Sequence, residues 1–281
     1  MDVLINPYSG RITHVENAAS NFFVVVEYIH LYLLLPPAIG VWVVGIAVLV
    51  FIALMITGLV LWWPKRKKDF KRSLAIKWNG RWRRVNYDLH KVFGVYVTVI
   101  ALILSVTGLA IAFNWMREGM YQTANLGKTY PAEQKVFTSD TLQQQKVVNP
   151  LDAAFAIAQQ RSPQAQMFLL ADDGKAASTI GITAYATSLH YGHTDSYTFD
   201  RSTGKLMQHL PYAKKSAGRK LNDLNYDLHA GQALGLTGKI IAFMASLICA
   251  SLPVTGFLVW LGRRNKKPRV HRAADGHLVT R

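Results

Sequence analysis

Three long stretches of this sequence contain no charged side chain, and they constrain the fold more than any other feature. A helix rises about 1.5 Å per residue, so about 20 apolar residues cross the roughly 30 Å hydrocarbon core of a bilayer. The charge-free stretches cover residues 31 to 63, 92 to 116 and 240 to 262. The sequence therefore predicts three transmembrane helices: helix A from about 38 to 63, helix B from about 90 to 115, and helix C from about 234 to 262.

The positive charge of the chain is concentrated beside these stretches. The 281 residues carry a net charge of +16. The segment from Pro64 to Lys91 holds 11 basic and two acidic residues, and the segment from Arg263 to Arg281 holds seven basic and one acidic residue. Because loops rich in Lys and Arg stay in the cytoplasm, this pattern predicts a multi-pass protein of the bacterial inner membrane. Its N-terminus would be periplasmic and its C-terminus cytoplasmic, and nucleic-acid binding is disfavoured.

A five-residue motif marks the spans. The sequence Asn-Tyr-Asp-Leu-His ends at His90 and again at His229, and a looser Tyr-Ile-His ends at His30. We expect these motifs to open helices B, C and A. Each span then reaches a Thr-Gly pair, whose Thr lies 27 residues after His30, 17 after His90 and 26 after His229. Helices A and C are therefore predicted to be one kind of element and helix B another.

The segments outside the spans repeat as well. Residues 3 to 12 and 197 to 206 are both predicted to be hairpins whose turn ends in glycine. The second hairpin follows a helix predicted from Pro150 to Gln160, with Asn149 as its cap, and strand-like runs at 166 to 171 and 179 to 186. We expect the chain to hold the end of one module and all of the next, as a shortened version of a longer protein.

The predicted fold class is an α-helical membrane protein with three transmembrane helices and a small α+β periplasmic domain. The predicted segments are the end of a truncated periplasmic domain (1–29), helix A (30–63), a basic cytoplasmic loop (64–89), helix B (90–115), the periplasmic α+β domain (116–225), helix C (226–262) and a basic cytoplasmic tail (263–281).

The three motif histidines are the candidate site residues. An ionisable side chain in a membrane span is costly and indicates function, although each histidine could instead cap a helix end at the headgroup level. The topology places His30 and His229 at the periplasmic face, where two imidazoles could hold the iron of one b-type haem. His90 lies at the cytoplasmic face, and its partner is expected on a missing first helix, which would allow a second haem. Zinc is disfavoured because nothing nearby supplies its third and fourth ligands.

Several glycines and histidines elsewhere in the sequence have two possible interpretations. Glycines within or near the spans could let a flat haem ring approach the backbone or could let helices pack closely: Gly40, Gly45, Gly94, Gly231, Gly235 and Gly238. Histidines of the α+β domain could contact a metal complex or be ordinary surface residues: His190, His193 and His209. Cys249, the only cysteine, is expected to be a packing residue, so covalent haem attachment and thiolate clusters are excluded.

The spans, the TG-x-x-x-W ends at Thr57 to Trp62 and Thr255 to Trp260, and the DRSTGKL hairpin together resemble the PepSY-associated transmembrane family. Within it, the sequence is similar to iron-regulated inner-membrane proteins implicated in reducing ferric siderophores. The resemblance implies periplasmic PepSY-like domains, bis-histidine b haems with His30, His90 and His229 as axial ligands, and electron transfer outward to release iron. The chain departs from the family in lacking the first helix and domain, which leaves electron entry open.

The expected function is therefore haem b electron transfer that reduces ferric iron, held by a siderophore, at the periplasmic face of a lipid membrane. No GxGxxG motif follows a strand, so we expect a separate electron donor, a flavoprotein or quinol. No residue is assigned a catalytic role, and His190 and His193 are candidate substrate contacts. Two alternatives stay open: a non-catalytic PepSY membrane protein that binds a periplasmic partner or assists siderophore or metal uptake, and a haem-free metal transporter, for which the spans lack carboxylates.

Overall fold

The computed structural model describes residues 2–6, 8–138, 149–175, 178–187, 192–264, 270–272 and 278–280. The helices in these ranges are α1 (Phe22–Tyr32), α2 (Pro37–Trp62), α3 (Phe70–Ser73), α4 (Trp82–Ala112), α5 (Asn114–Ala124), α6 (Pro131–Gln134), α7 (Pro150–Arg161), α8 (Ala217–His229) and α9 (Gly235–Arg264). The strands are β1 (Asp2–Ile5), β2 (Ile12–Glu16), β3 (Met167–Ala171), β4 (Thr179–Tyr185), β5 (Thr194–Asp200), β6 (Leu206–Leu210), β7 (Val270–Arg272) and β8 (Leu278–Thr280).

The chain divides into two compact units. The first unit comprises Met1–Leu54 and Ser105–Tyr226, and the second comprises Met55–Leu104 and Asp227–Arg281. The α+β elements and the short helix α1 belong to the first unit. The second unit contains α4 from Trp82 to Leu104 and the whole of α9, so it is built mainly from apolar helices.

Three of the described helices are long and apolar enough to cross a membrane. They are α2, α4 and the segment Gln232–Arg264, which contains α9, and their most apolar windows have mean hydropathies of 3.0, 2.4 and 2.0. They coincide with the predicted helices A, B and C, so the three spans are confirmed by length and composition. Large apolar side chains of α2 and α9 are exposed on the protein, Leu61 by 87% and Phe243 by 66%, which suits a surface in contact with lipid.

The two full motifs do not open their spans as the sequence analysis predicted, although α9 begins at Gly235, next to the predicted start of helix C at about 234. Helix α4 begins at Trp82, so the motif that ends at His90 lies inside the helix. The second motif instead ends α8 at His229, and two glycines with left-handed backbone, Gly231 (φ 71°) and Gly235 (φ 60°), separate it from α9. Glycine tolerates this conformation because it has no Cβ. The predicted boundaries at residues 90 and 226 therefore move to 82 and 235.

A similar interruption follows the looser first motif. His30 lies in the last turn of α1, and Leu33 (φ 53°) and Leu34 (φ 59°) end the helix before α2 begins at Pro37. Helices A and C are thus each preceded by a short helix and a break, whereas α4 runs without one. The break explains why the spacing from His to Thr is longer in A and C, and it confirms that they are one kind of element.

The first unit contains a small α+β region. Its antiparallel sheet has the strand order β3-β4-β5-β6, and α7 packs across it. Helix α7 begins at Pro150, directly after Asn149, whose side chain accepts a hydrogen bond from the Asp152 N–H at 3.4 Å. The core between helix and sheet includes five side chains with at most 1% exposure: Ala154, Ala158, Ile180, Ile182 and Phe199. The predicted helix and strands are therefore present with boundaries shifted by one or two residues.

The two hairpins share one turn structure. The Gly10 N–H donates to the carbonyl of Asn6 at 2.9 Å, and the Gly204 N–H donates to the carbonyl of Asp200 at 2.8 Å. The side-chain oxygens of Asn6 and Asp200 each accept from the backbone N–H groups two and three positions further on, at 2.9 to 3.0 Å. Both glycines have positive φ, 65° and 68°, which disfavours other residues there. The predicted hairpin repeat is therefore confirmed.

A buried polar network joins α5 to the start of α8. The Glu133 carboxylate accepts hydrogen bonds from the Tyr121 hydroxyl at 2.8 Å and from the backbone N–H and hydroxyl of Ser216 at 2.6 and 2.7 Å. The Asn125 side chain accepts from the Gly218 N–H at 2.7 Å. Burial, followed by the hydrogen bond to Glu133, raises the pKa of Tyr121. Removing a partner would leave a buried polar group unsatisfied.

The contact at Gly218 provides a test of this packing. A Cβ at Gly218 would overlap the Tyr121 carbonyl and lie 2.6 Å from Asn125 Nδ2, so we expect Gly218→Ala to lower the free energy of unfolding by about 1 to 3 kcal/mol. Gly119→Ala is the matched control because a Cβ there meets nothing within 4 Å on helix α5, and it should be neutral or stabilising. Thermal unfolding of the detergent-purified protein measures both. Equal melting temperatures would show that α5 and α8 are not packed in this way.

Candidate functional site

The two full copies of the motif make the same long-range hydrogen bond. In the second unit, Asn86 Nδ2 donates to the carbonyl oxygen of Thr255 at 3.1 Å. In the first unit, Asn225 Nδ2 donates to the carbonyl oxygen of Thr107, also at 3.1 Å. Each asparagine is 6% exposed and reaches the Thr of a Thr-Gly pair on another helix. An unpaired amide in apolar surroundings costs several kcal/mol, so these bonds hold each motif against its Thr-Gly pair.

The side chain of His90 is held by the same Thr-Gly pair. Its Nδ1 lies 2.9 Å from the Oγ1 of Thr255. The Thr255 hydroxyl donates its own proton toward the carbonyls of Ser251 and Leu252, each at 3.1 Å, so it accepts from the imidazole. In the neutral ring, Nδ1 therefore carries the hydrogen and Nε2 carries the lone pair.

The side chain of His229 is oriented in the same manner. Its Nδ1 lies 2.9 Å from the carbonyl oxygen of Leu104 in α4. A carbonyl can only accept, so Nδ1 again carries the hydrogen and Nε2 is the atom able to ligate a metal. Metal-binding histidines usually have their other ring nitrogen held by such an acceptor. The two motif histidines thus share one tautomer and one kind of support.

His90 and His229 both belong to the second unit, but they lie at different levels of α4. His229 contacts Leu104, which is 14 positions after His90 on that helix, a rise of about 21 Å. The two imidazoles are therefore too far apart to share one iron. His30 has an exposed side chain in the first unit, so its pairing with His229 of the second unit stays a prediction.

Two glycines of the second unit lie beside His90. A Cβ at Gly256 would lie 3.1 Å from Cε1 of the His90 ring, so the ring packs directly on this position. Gly94 follows His90 by one helical turn, and a Cβ there would meet only Leu252 Cδ2, at 4.0 Å. The absence of a side chain at residue 256 therefore lets the His90 ring pack against the backbone, whereas a Cβ at residue 94 would make only an ordinary contact.

Close packing explains most of the other span glycines. A Cβ at these positions would lie within 3 Å of a neighbouring ring or backbone group: Gly40, Gly45, Gly231 and Gly238. Gly40 packs on Tyr32, and the backbones of Gly231 and Gly238 pack on each other. Of the two interpretations, close helix packing therefore holds at these four positions, whereas a Cβ at Gly235 would meet nothing within 4 Å.

Asp88 is a positioning residue that the sequence analysis overlooked. It is fully buried two positions before His90. Its carboxylate accepts from Arg84 Nε at 3.0 Å and from the Lys77 N–H at 3.3 Å, and Lys91 Nζ lies 3.7 Å away. These contacts tie the basic loop to the helix that carries His90. An acidic residue inside a strongly basic segment was the signal in the sequence.

The histidines of the α+β region are placed differently from one another. His193 packs its ring on Tyr212 at a centroid distance of 4.3 Å, and His190 lies outside the described residues. His209 stacks on Tyr197 at 4.4 Å, and burial lowers the pKa of His209. Within the described part of the chain, no group of three or more His, Cys, Asp or Glu side chains could hold a metal ion.

The family comparison covers both units. A family profile described as the PepSY-associated TM region matches residues 1–263. This range includes all three spans, the α+β region and each motif histidine. No curated protein matches the chain.

The contact between Gly256 and His90 can be tested by adding one methyl group. Gly256→Ala would push the His90 ring away from Thr255, so we expect a lower melting temperature and a changed imidazole ¹⁵N shift for His90. Gly58→Ala is the matched control, because it alters the Thr-Gly pair of α2 where a Cβ meets nothing within 4 Å. Histidine-selective ¹⁵N NMR in detergent, with His90→Gln for assignment, measures the shift. The same spectrum for both alanine variants would disprove the contact.

Proposed function

The chain belongs to the PepSY-associated transmembrane family, and on that premise we propose that it is a haem b electron-transfer protein. In this proposal it reduces ferric iron, bound by a siderophore, at the periplasmic face of the bacterial inner membrane. The electrons come from a separate flavoprotein or quinol. The observation that carries the proposal is the shared orientation of His90 and His229, whose Nδ1–H groups are both held by oxygen acceptors.

The proposed axial ligands of one haem are His229 and His30. His229 contributes an imidazole whose tautomer is set by the Leu104 carbonyl. His30 is proposed as its partner because it occupies the matching place in the repeat, in a short helix that ends in a break before a span. His90 is reserved for a second haem, which needs a further histidine from another span or subunit.

The motif histidines of the second unit have the chemistry that a haem iron requires of its ligands. The donors are imidazoles whose Nδ1 is already engaged within the protein, which leaves Nε2 as the ligating atom, and a Cβ at Gly94 beside His90 would meet only Leu252 Cδ2 at 4.0 Å. A bis-histidine haem b would supply a one-electron carrier. The chain's own part is to fix both rings through Thr255 and Leu104 and to exclude water with apolar helices. The basic loop is tied to His90 through Asp88.

The proposed topology follows from the charge distribution. Loops rich in Lys and Arg remain cytoplasmic, and 11 basic residues lie between Pro64 and Lys91. Reporter domains fused after residues 75 and 275 should therefore read cytoplasmic, and one fused near residue 170 should read periplasmic. A paired alkaline phosphatase and green fluorescent protein series measures this. A periplasmic signal at residue 75 would contradict the orientation and the assignment of each histidine to its face.

Haem binding is the direct test of the proposal. The purified chain should bind one haem with a low-spin optical spectrum that sharpens on reduction with dithionite. His229→Ala and His30→Ala should each abolish that haem, because one imidazole cannot hold a six-coordinate low-spin iron. Their effects should not add in the double variant. Pyridine haemochrome stoichiometry and difference spectra of the detergent-purified protein measure these outcomes.

Two further variants serve as controls in the same measurement. His14→Ala removes an exposed histidine of β2 and should retain the full haem content. His90→Ala should also retain it, since His90 is assigned elsewhere. A wild-type chain without haem would favour the non-catalytic membrane protein. Two haems in the wild type, or loss of the haem in His90→Ala, would overturn the division of the ligands.

A further inference from the structure

A pocket of about 320 Å³ opens in the α+β region of the first unit. We call it the α7 pocket. Its walls come from the C-terminal end of α7 and the turn after it, the end of β4, the start of β5 and the short turn at Tyr212. The side chains that give it chemical character are Arg161, Ser162, His193, Asp195 and Tyr212. None of the proposed haem ligands lines this pocket.

One wall of the α7 pocket is aromatic. The ring of His193 lies 4.3 Å from the ring of Tyr212, at an interplanar angle of 40°. The ammonium group of Lys220 lies 4.8 Å from the Tyr212 ring centroid. Flat apolar surfaces of this kind favour a ring stacked against them. The nearby ammonium also favours a ligand that carries negative charge.

The acidic side chain of the pocket is already occupied by the protein. Asp195 Oδ1 accepts from the Tyr212 N–H at 2.7 Å, and Asp195 Oδ2 accepts from the Ser162 hydroxyl at 3.3 Å. His209 Nε2 lies 3.9 Å from the same Oδ2. Its carboxylate therefore serves to hold the turn at Tyr212 against α7, and its charge is directed at protein donors.

The cationic groups of the pocket region remain available to a ligand. Arg161 ends α7 at the pocket mouth with an exposed side chain. Arg161 itself lines the pocket, so its positive charge lies at the pocket wall. A guanidinium group presents a planar fork that matches two oxygens in one plane.

From these features we infer that the α7 pocket binds an aromatic oxyanion, with its oxygens at Arg161 and its ring against His193 and Tyr212. The volume of about 320 Å³ lies at the low end for ligand sites and accommodates one substituted benzene ring, while the rest of a larger ligand would extend through the open mouth. Catecholate oxygens are hard donors that also bind ferric iron. This assignment rests on the proposed function and extends it. The α7 pocket binds one catecholate group of a ferric catecholate complex.

Binding of a redox-inert probe tests the pocket without requiring electron transfer. We expect 2,3-dihydroxybenzoate and its gallium(III) complex both to bind the full chain in nanodiscs, measured by isothermal titration calorimetry. Arg161→Gln should weaken both by about tenfold, since a charge-assisted pair is lost. Arg201→Gln is the matched control: Arg201 belongs to the same α+β region and pairs with Asp172 at 2.8 Å, and its removal should leave the affinity unchanged.

Further variants distinguish ligand binding in the α7 pocket from haem binding. His193→Ala should weaken both probes, and melting temperatures will show that each variant is folded. His229→Ala should bind the probes like the wild type, so failure of the haem proposal leaves this result intact. No binding to the wild type, or equal loss in Arg161→Gln and Arg201→Gln, overturns the pocket. Binding of free 2,3-dihydroxybenzoate without the gallium complex overturns the anchoring of a ferric chelate.

Discussion

Buried polar side chains must find partners within the protein, because apolar surroundings offer none. Asn86 and Asn225 meet this requirement at the carbonyls of two Thr residues, each at 3.1 Å. These two bonds decide which turn of one helix lies beside which turn of another. The positions of His90 and His229 follow from them, because each histidine lies one helical turn after the asparagine of its own motif.

The same rule explains why the histidines are oriented as they are. Both imidazoles are half-buried, and each donates its Nδ1–H within the protein, to Thr255 for His90 and to Leu104 for His229. The requirement for a hydrogen-bond partner therefore leaves the other nitrogen as the basic one in both rings. A site for a metal-bound cofactor could be built on this arrangement without changing the packing of the helices.

Features with a local cause could be predicted from the sequence, and features with a distant cause could not. The spans and both hairpins depend on nearby composition, and they are present in the structure. The start of helix B was predicted too late because the polar residues before the charge-free stretch, Asn86 and Asp88 among them, were assigned to the cytoplasmic loop. Their actual partners include Thr255, which lies 169 positions from Asn86. The α7 pocket was missed because its walls come from four separate elements.

The long separation between Asn86 and Thr255 also matters during synthesis. Polypeptide chains grow at about 5 to 20 residues per second, so the 169 positions between them correspond to roughly 10 to 30 seconds of translation. During that time α4 has left the ribosome while α9 does not yet exist. The polar side chains in the first turns of α4 must then be hydrogen-bonded by water, lipid headgroups or the insertion machinery. Helix α4 therefore completes its assembly in the membrane only after the last span arrives.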